Sequence, residues 1–382
     1  MITSGATGLF AATVTASLIL AHATHFSNPA EQKQIIRAIF IVPPFAIISF
    51  LCVWLDGSPQ PYIIPALDVA EAFPMAAFFL LISTYVVPDD GGRDSFFAQL
   101  QSIDKKGNEQ GGGSLIWYRR LTLGVLQWVP ASIILWILTV ITLATNTYCS
   151  TSNRAHFAHV WITVLRMIST ALAVISILRF YKRTKHILKP RGTLQKLVCF
   201  KLLVFLNFLQ TFVFNFLKSS GRLHATKYLT FNDLANAMPS LILSCEMALI
   251  APFFVFAYPV RPYIIRNSSA PEGTRSERYL GGPWGIRAMF SATNILDIVM
   301  GLVKAFKTRS AGGRLPVQLK RLLIVLVLEH RKMFLRRCIL LWTLCMHLII
   351  EGEVVDTITM IATLTITGRI GTEDDLHIII YK

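Results

Sequence analysis

Six polar or charged side chains stand inside apolar runs of this chain: Asp68, Glu71, Arg166, Lys201, Gln210 and Glu246. Asp68 and Glu71 are three residues apart, so a helix carries both on one face. A charge at the centre of a bilayer costs roughly 2.5–3.5 kcal/mol on insertion scales, so such groups face inward and pair. Two chemistries are open to this set. The groups can line a path for a polar solute or ion, with proton relay, or Arg166 can neutralise carboxylates as interhelical glue. Glu246 lies within "LILSCEMALIAPFFVFAY", Leu241 to Tyr258, near the middle of its run. Its expected counterpart is Arg166 or the Asp68/Glu71 pair. Lys201 lies near one end of its run, where its ammonium can snorkel to the interface.

No catalytic constellation accompanies these groups. The sequence holds no HExxH, no P-loop and no GxGxxG, and its six cysteines form no CxxC. We therefore expect no enzyme activity, no catalytic residue, no metal site and no cofactor.

The elements that must position the six residues follow from composition. The chain is 53% hydrophobic and 15% charged, against about 25% charged in soluble domains. The net charge of +16 forms no basic stripe with interleaved aromatics, so we expect no nucleic-acid partner. The positive charge lies between apolar runs, as at the inner face of a membrane.

Seven runs reach the roughly 20 residues that cross a bilayer: 4–22, 38–55, 64–87, 121–144, 158–178, 197–217 and 234–258. They are continuous rather than alternating, so the expectation is an all-α polytopic membrane protein with seven transmembrane helices. The first run is followed by "AHA", as in a signal peptide, but no basic residue precedes it, which favours a span. Alternate connections carry 14 and four Lys or Arg residues. The richer side is expected to be cytoplasmic, which puts the N-terminus outside and the C-terminus inside. Residues 107–114, "GNEQGGGS", read as a flexible insert in a cytoplasmic loop.

We divide the chain into a transmembrane domain over 1–258, a cytoplasmic tail over 259–315, and an unassigned remainder over 316–382. Within the tail, 285–308 carries apolar residues at helical spacing and predicts one amphipathic helix. Ile298, Leu302 and Phe306 are its expected membrane- or partner-binding positions.

"HFSNPAEQKQIIRAIFIVPPFAIISF" carries Pro29, Gln32, Ile36, Arg37, Val42, Pro43 and Ser49; "DVAEAF" carries Asp68, Glu71 and Ala72. Further on stand Phe180, Tyr181, Lys189, Pro190, Lys196, Lys201 and Gln210, then "CEM" at 245–247, "AYPVRPY", and "NILDIV" at 294–299. In this order the motifs resemble those of the organic solute transporter alpha / transmembrane protein 184 family, with the closer likeness to the transmembrane protein 184 branch. The animal transporter branch has a cytoplasmic cysteine cluster, which this chain lacks.

The resemblance implies seven spans with an outside N-terminus. It implies facilitative transport of amphipathic organic solutes, steroid-like or lipid-like. The alternative it carries is a vacuolar or endosomal scaffold whose tail recruits trafficking or autophagy machinery. The partners to expect are the bilayer, an amphipathic solute, a cytosolic protein on the tail, and a second copy or a single-span partner. The membrane is vacuolar, endosomal or plasma membrane.

Overall fold

The computed structural model describes residues 1–311 except 56–58, 101, 104–108, 111–113, 150–155, 221–229, 232 and 266–277. The remainder over 316–382 therefore lies outside the described residues. Met1–Phe306 pack as one compact unit.

The protein is helical. The described strands are a two-residue antiparallel pair, Ser102–Ile103 with Glu109–Gln110, the second inside the stretch 107–114 that the sequence suggests is a flexible insert and the first just before it. Among the described residues, eight segments are long and apolar enough to cross a membrane. Seven correspond to the expected runs; the eighth is Pro283–Ala305 in the tail.

α1 (Ile2–Thr24) packs on α3 (Val42–Trp54) and α11 (Met238–Ala257). Small residues allow the approach: a Cβ on Gly8 would stand 3.4 Å from the Ala46 carbonyl oxygen. The Ser244 hydroxyl donates to the Ser4 carbonyl at 3.0 Å, satisfying a polar group inside the bundle.

Residues 23–37, expected as a connection, are largely helix. α2 (Pro29–Ile39) starts where the Asn28 side chain accepts from the Glu31 N–H and Pro29 occupies the first helical position. The Gln32 Oε1 accepts from the N–H groups of Ser27 and Asn28. Its polar face is tolerated in the interior because the bundle supplies partners for it. Pro43 and Pro44 deny the next turn its donors, so α2 ends and α3 begins anew.

α5 (Ala66–Val86) is the central helix, packed on α2, on α7 (Leu115–Leu126), on α8 (Trp128–Ala144) and on α9 (Ala158–Leu188). Met75, Ala76, Phe78, Phe79, Leu81 and Ile82 along it are all fully buried. The short α4 (Gln60–Ile63) precedes it, split off before Pro65. The fourth run begins earlier than expected, at Leu115, and breaks at Gln127 between α7 and α8. α6 (Asp90–Gln99) and α7 bring Phe97 and Tyr118 into a stack at 4.1 Å, edged by Phe180 of α9.

α10 (Thr193–Ser219) returns antiparallel to α11. The tail forms α12 (Ile286–Thr293) and α13 (Leu296–Ala311), not the single helix expected over 285–308. The reason is local. The Arg37 guanidinium takes the carbonyls of Ala292 and Asn294, which a continuous helix would use itself, and the Asn294 side chain accepts from the Leu296 N–H to start the next helix.

Candidate functional site

The first turn of α5 carries Asp68, and α9 carries Arg166 eight residues from its start. Their packing sets the Arg166 Nε 2.9 Å from the Asp68 Oδ2, and both side chains are mostly buried. The counterpart of Arg166 is thus Asp68 rather than Glu246. Tyr148, between α8 and α9, belongs to the same corner. Burial pushes its phenol up, the Arg166 guanidinium pulls it down and the Asp68 carboxyl pushes it up. Its ring meets His159 edge-on at 5.2 Å.

One turn along α5, Glu71 is buried, and its Oε2 accepts from the Asn207 amide of α10 at 3.3 Å. Asn207 and Gln210 are three apart and so share a face of α10. Gln210 donates to the Pro239 carbonyl at the start of α11. The polar groups therefore form a line of contacts across α9, α5, α10 and α11. In this cluster two carboxyl groups, Asp68 and Glu71, share one described guanidinium.

Glu246 stands on α11 at the edge of its buried face, beside Met247 and Ile250 on one side and exposed Leu249 and Phe253 on the other. Its Oε2 is buried without a hydrogen-bond partner among the described residues. The antiparallel register of α10 and α11, with Gln210 at Pro239 and Lys196 near Tyr258, places Glu246 near the level of Asn207. The Lys201 side chain lies outside the described residues.

A second cluster closes the opposite end of α5, about 25 Å away at 1.5 Å per residue. There Lys196 of α10 is buried and donates from Nζ to the Tyr85 hydroxyl at 2.6 Å. Arg191 meets Glu31 of α2 at 2.6 Å, and the Tyr263 hydroxyl donates to the other Glu31 oxygen at 2.9 Å. His22 of α1 contacts the Tyr258 carbonyl at 3.0 Å. We call this end the tail face, because the tail docks there. The Leu280 N–H donates to the Phe26 carbonyl at 2.8 Å, and the Arg37 Nη1 lies 2.8 Å from Asp297.

Sequence reasoning missed Asn207, Tyr148 and the meeting of the tail-face residues, although Lys196, Glu31, Tyr258 and Tyr263 stand in the motifs. Asn207 carried a usable signal, its three-residue spacing from Gln210. Glu31 and Arg191 lie in stretches read as connections, and nothing local announces their meeting across 160 residues. Of the expected surface positions in the tail, Ile298 is buried in the bundle core and Leu302 packs partly against it. The Phe306 side chain lies outside the described residues. The outward apolar positions of α13 are instead Leu296, Val299, Met300 and Val303. Asp297, paired with Arg37, fixes which side turns inward.

Comparison with known proteins adds an independent line. The family described as organic solute transporter Ostalpha matches residues 1–263. A protein of Dictyostelium discoideum described as a transmembrane protein 184 homolog is 25% identical over 270 residues. That match covers 67% of this chain and 51% of the relative, so the chain spans about half the relative's length. No solved structure matches.

Proposed function

The chain belongs to the organic solute transporter Ostalpha family, and from that premise we propose that it is a facilitative transporter of amphipathic organic solutes, steroid-like or lipid-like. One observation carries this reading: the Asp68–Arg166 pair with Glu71 beside it, at the meeting of three span helices. A network that served only as glue would be expected to balance its charges. Here the second carboxyl needs another source of neutralisation in a medium that penalises charge. A proton, or a donor group of a passing solute, can supply it. Asn207, Gln210 and Glu246 extend polar groups from that point toward α11, while the apolar walls of the bundle suit the rest of an amphipath.

The orientation we propose is N-terminus outside and tail inside. The fold supports it, because the basic connections around residues 88–120 and 179–196 gather with the tail at one face of the bundle. The Asp68 cluster then opens toward the outside, and the Glu31–Arg191–Lys196 cluster closes the cytoplasmic end. Transport requires both ends to yield in turn.

The test is flux of a radiolabelled sterol conjugate from sealed vesicles that contain only this protein. Equilibration down the gradient, faster than from protein-free vesicles and slowed by Glu71→Gln in a folded protein, is the expected result. Flux no faster than from protein-free vesicles would overturn the transport reading. If the tail then retained cytosolic proteins, the scaffold reading would take its place.

A further inference from the structure

We propose that α12 and α13 lie in the bilayer against the bundle, with acyl chains covering their outward apolar side. The inference rests on the protein being membrane-embedded and is independent of transport.

The two sides of α13 differ sharply. Ile298 is 3% exposed against the bundle, whereas Leu296 is 63% and Met300 55% exposed on the other side. On α12, Ala288 and Ala292 are buried while Phe290 is 74% exposed. Water is a poor medium for such a face, since each large apolar side chain left in it forgoes about 1.5–3 kcal/mol.

The occupant follows from what adjoins the face. Gly301 of α13 sits on Leu126, where α7 passes into α8, and a Cβ there would stand 2.9 Å from the leucine Cδ1. α8 in turn exposes Ile134, Ile137 and Ile141, a belt that lipid must cover in a spanning helix. Phe40 is exposed three residues beyond Arg37, the residue that holds α12 and α13. The outward face of the tail helices thus adjoins, at Phe40 and Leu126, helices whose outer side already belongs to lipid. Trp284 stands exposed before α12 and Arg287 in its first turn, as expected near headgroups.

The segment Pro283–Ala305 meets the length and hydropathy of a span. It is held at Ala23, near the end of α1, at Arg37 of α2 and at Leu126 of α7. Ala23 and Arg37 lie toward the tail face, and Leu126 stands deeper, next to Gln127, whose amide donates to the Ser169 carbonyl one turn from Arg166. The segment therefore runs inward from the tail face along the bundle, to a depth where acyl chains surround it.

The experiment uses the full chain in proteoliposomes with a phospholipid bearing a photoactivatable diazirine on its acyl chain. After illumination, adducts are mapped by mass spectrometry. Residues 284–303 should carry adducts at yields comparable to residues 134–141. Adducts on 134–141 with none on 284–303 would overturn the proposal. So would cross-links from this face to a second copy in place of lipid.

Discussion

Arg166 is the residue on which the membrane-buried cluster turns. Its guanidinium lies 2.9 Å from Asp68, and Glu71 stands one turn further along the same helix. Arg166→Ala removes the cation and leaves Asp68 facing an apolar interior. Losing one partner of a buried pair costs about 3 kcal/mol or more, so the variant should melt at a lower temperature in detergent than the parent. Adding Asp68→Asn should recover part of that loss, because an amide needs no counter-charge; a double variant no more stable than Arg166→Ala would show that the pair does not act as a unit. Glu246 is a different case, with one buried carboxyl oxygen unbonded among the described residues. Glu246→Gln keeps the shape and removes the charge. We expect normal folding, with flux or its pH dependence lost. Unchanged pH-dependent flux would assign the carboxyl no part in transport.

At the scale of elements, the tail is fastened by close backbone approach as well as by charge. A Cβ on Gly281 would stand 2.1 Å from the Ala23 carbonyl oxygen, so Gly281→Ala must push the tail off the end of α1. Gly301 is a useful contrast, because the group its Cβ would meet is the tip of a leucine side chain that can move. Amide hydrogen exchange should therefore quicken across residues 286–303 in Gly281→Ala and much less in Gly301→Ala. Equal protection in both variants would mean that the Arg37–Asp297 contacts hold α12 and α13 without help from α1. α9 shows a related economy of design. Its 31 residues make about 46 Å of helix against a hydrocarbon core of ~30 Å. The surplus carries Lys182, Arg183 and Lys185 out toward the tail face, where the other basic connections lie.

For the whole molecule, the consequence to test is sidedness. Asn267-Ser-Ser is the one Asn-x-Ser/Thr sequon of the chain, and the proposed orientation puts it inside. The protein should show no glycosidase-sensitive mass after passage through the secretory pathway. A shift that Asn267→Gln abolishes would reverse the orientation, and with it the assignment of the Asp68 cluster to the outer end. The two polar clusters would keep their places in the bundle and exchange sides.

The class of protein is legible in the chain alone, because apolar length is a local property: seven runs of about 20 residues can be counted without knowing any neighbour. It also marked Asp68, Glu71, Arg166, Gln210 and Glu246, since a polar group in an apolar run is conspicuous by contrast. Which of them meet was decided only by tertiary structure. Arg166 chose Asp68, Glu71 chose the unremarked Asn207, and Glu246 was left aside, because those choices depend on how α5, α9, α10 and α11 rotate against one another. The amphipathic tail shows the same limit more sharply. Its spacing foretold a helix with one apolar side, yet 285–308 is apolar over so much of its circumference that sequence could not say which side would turn inward. Arg37, more than 250 residues earlier in the chain, settled that by capping α12 and pairing with Asp297. Hydrophobic length is written along the chain, whereas the partners of polar groups are fixed only when distant helices pack.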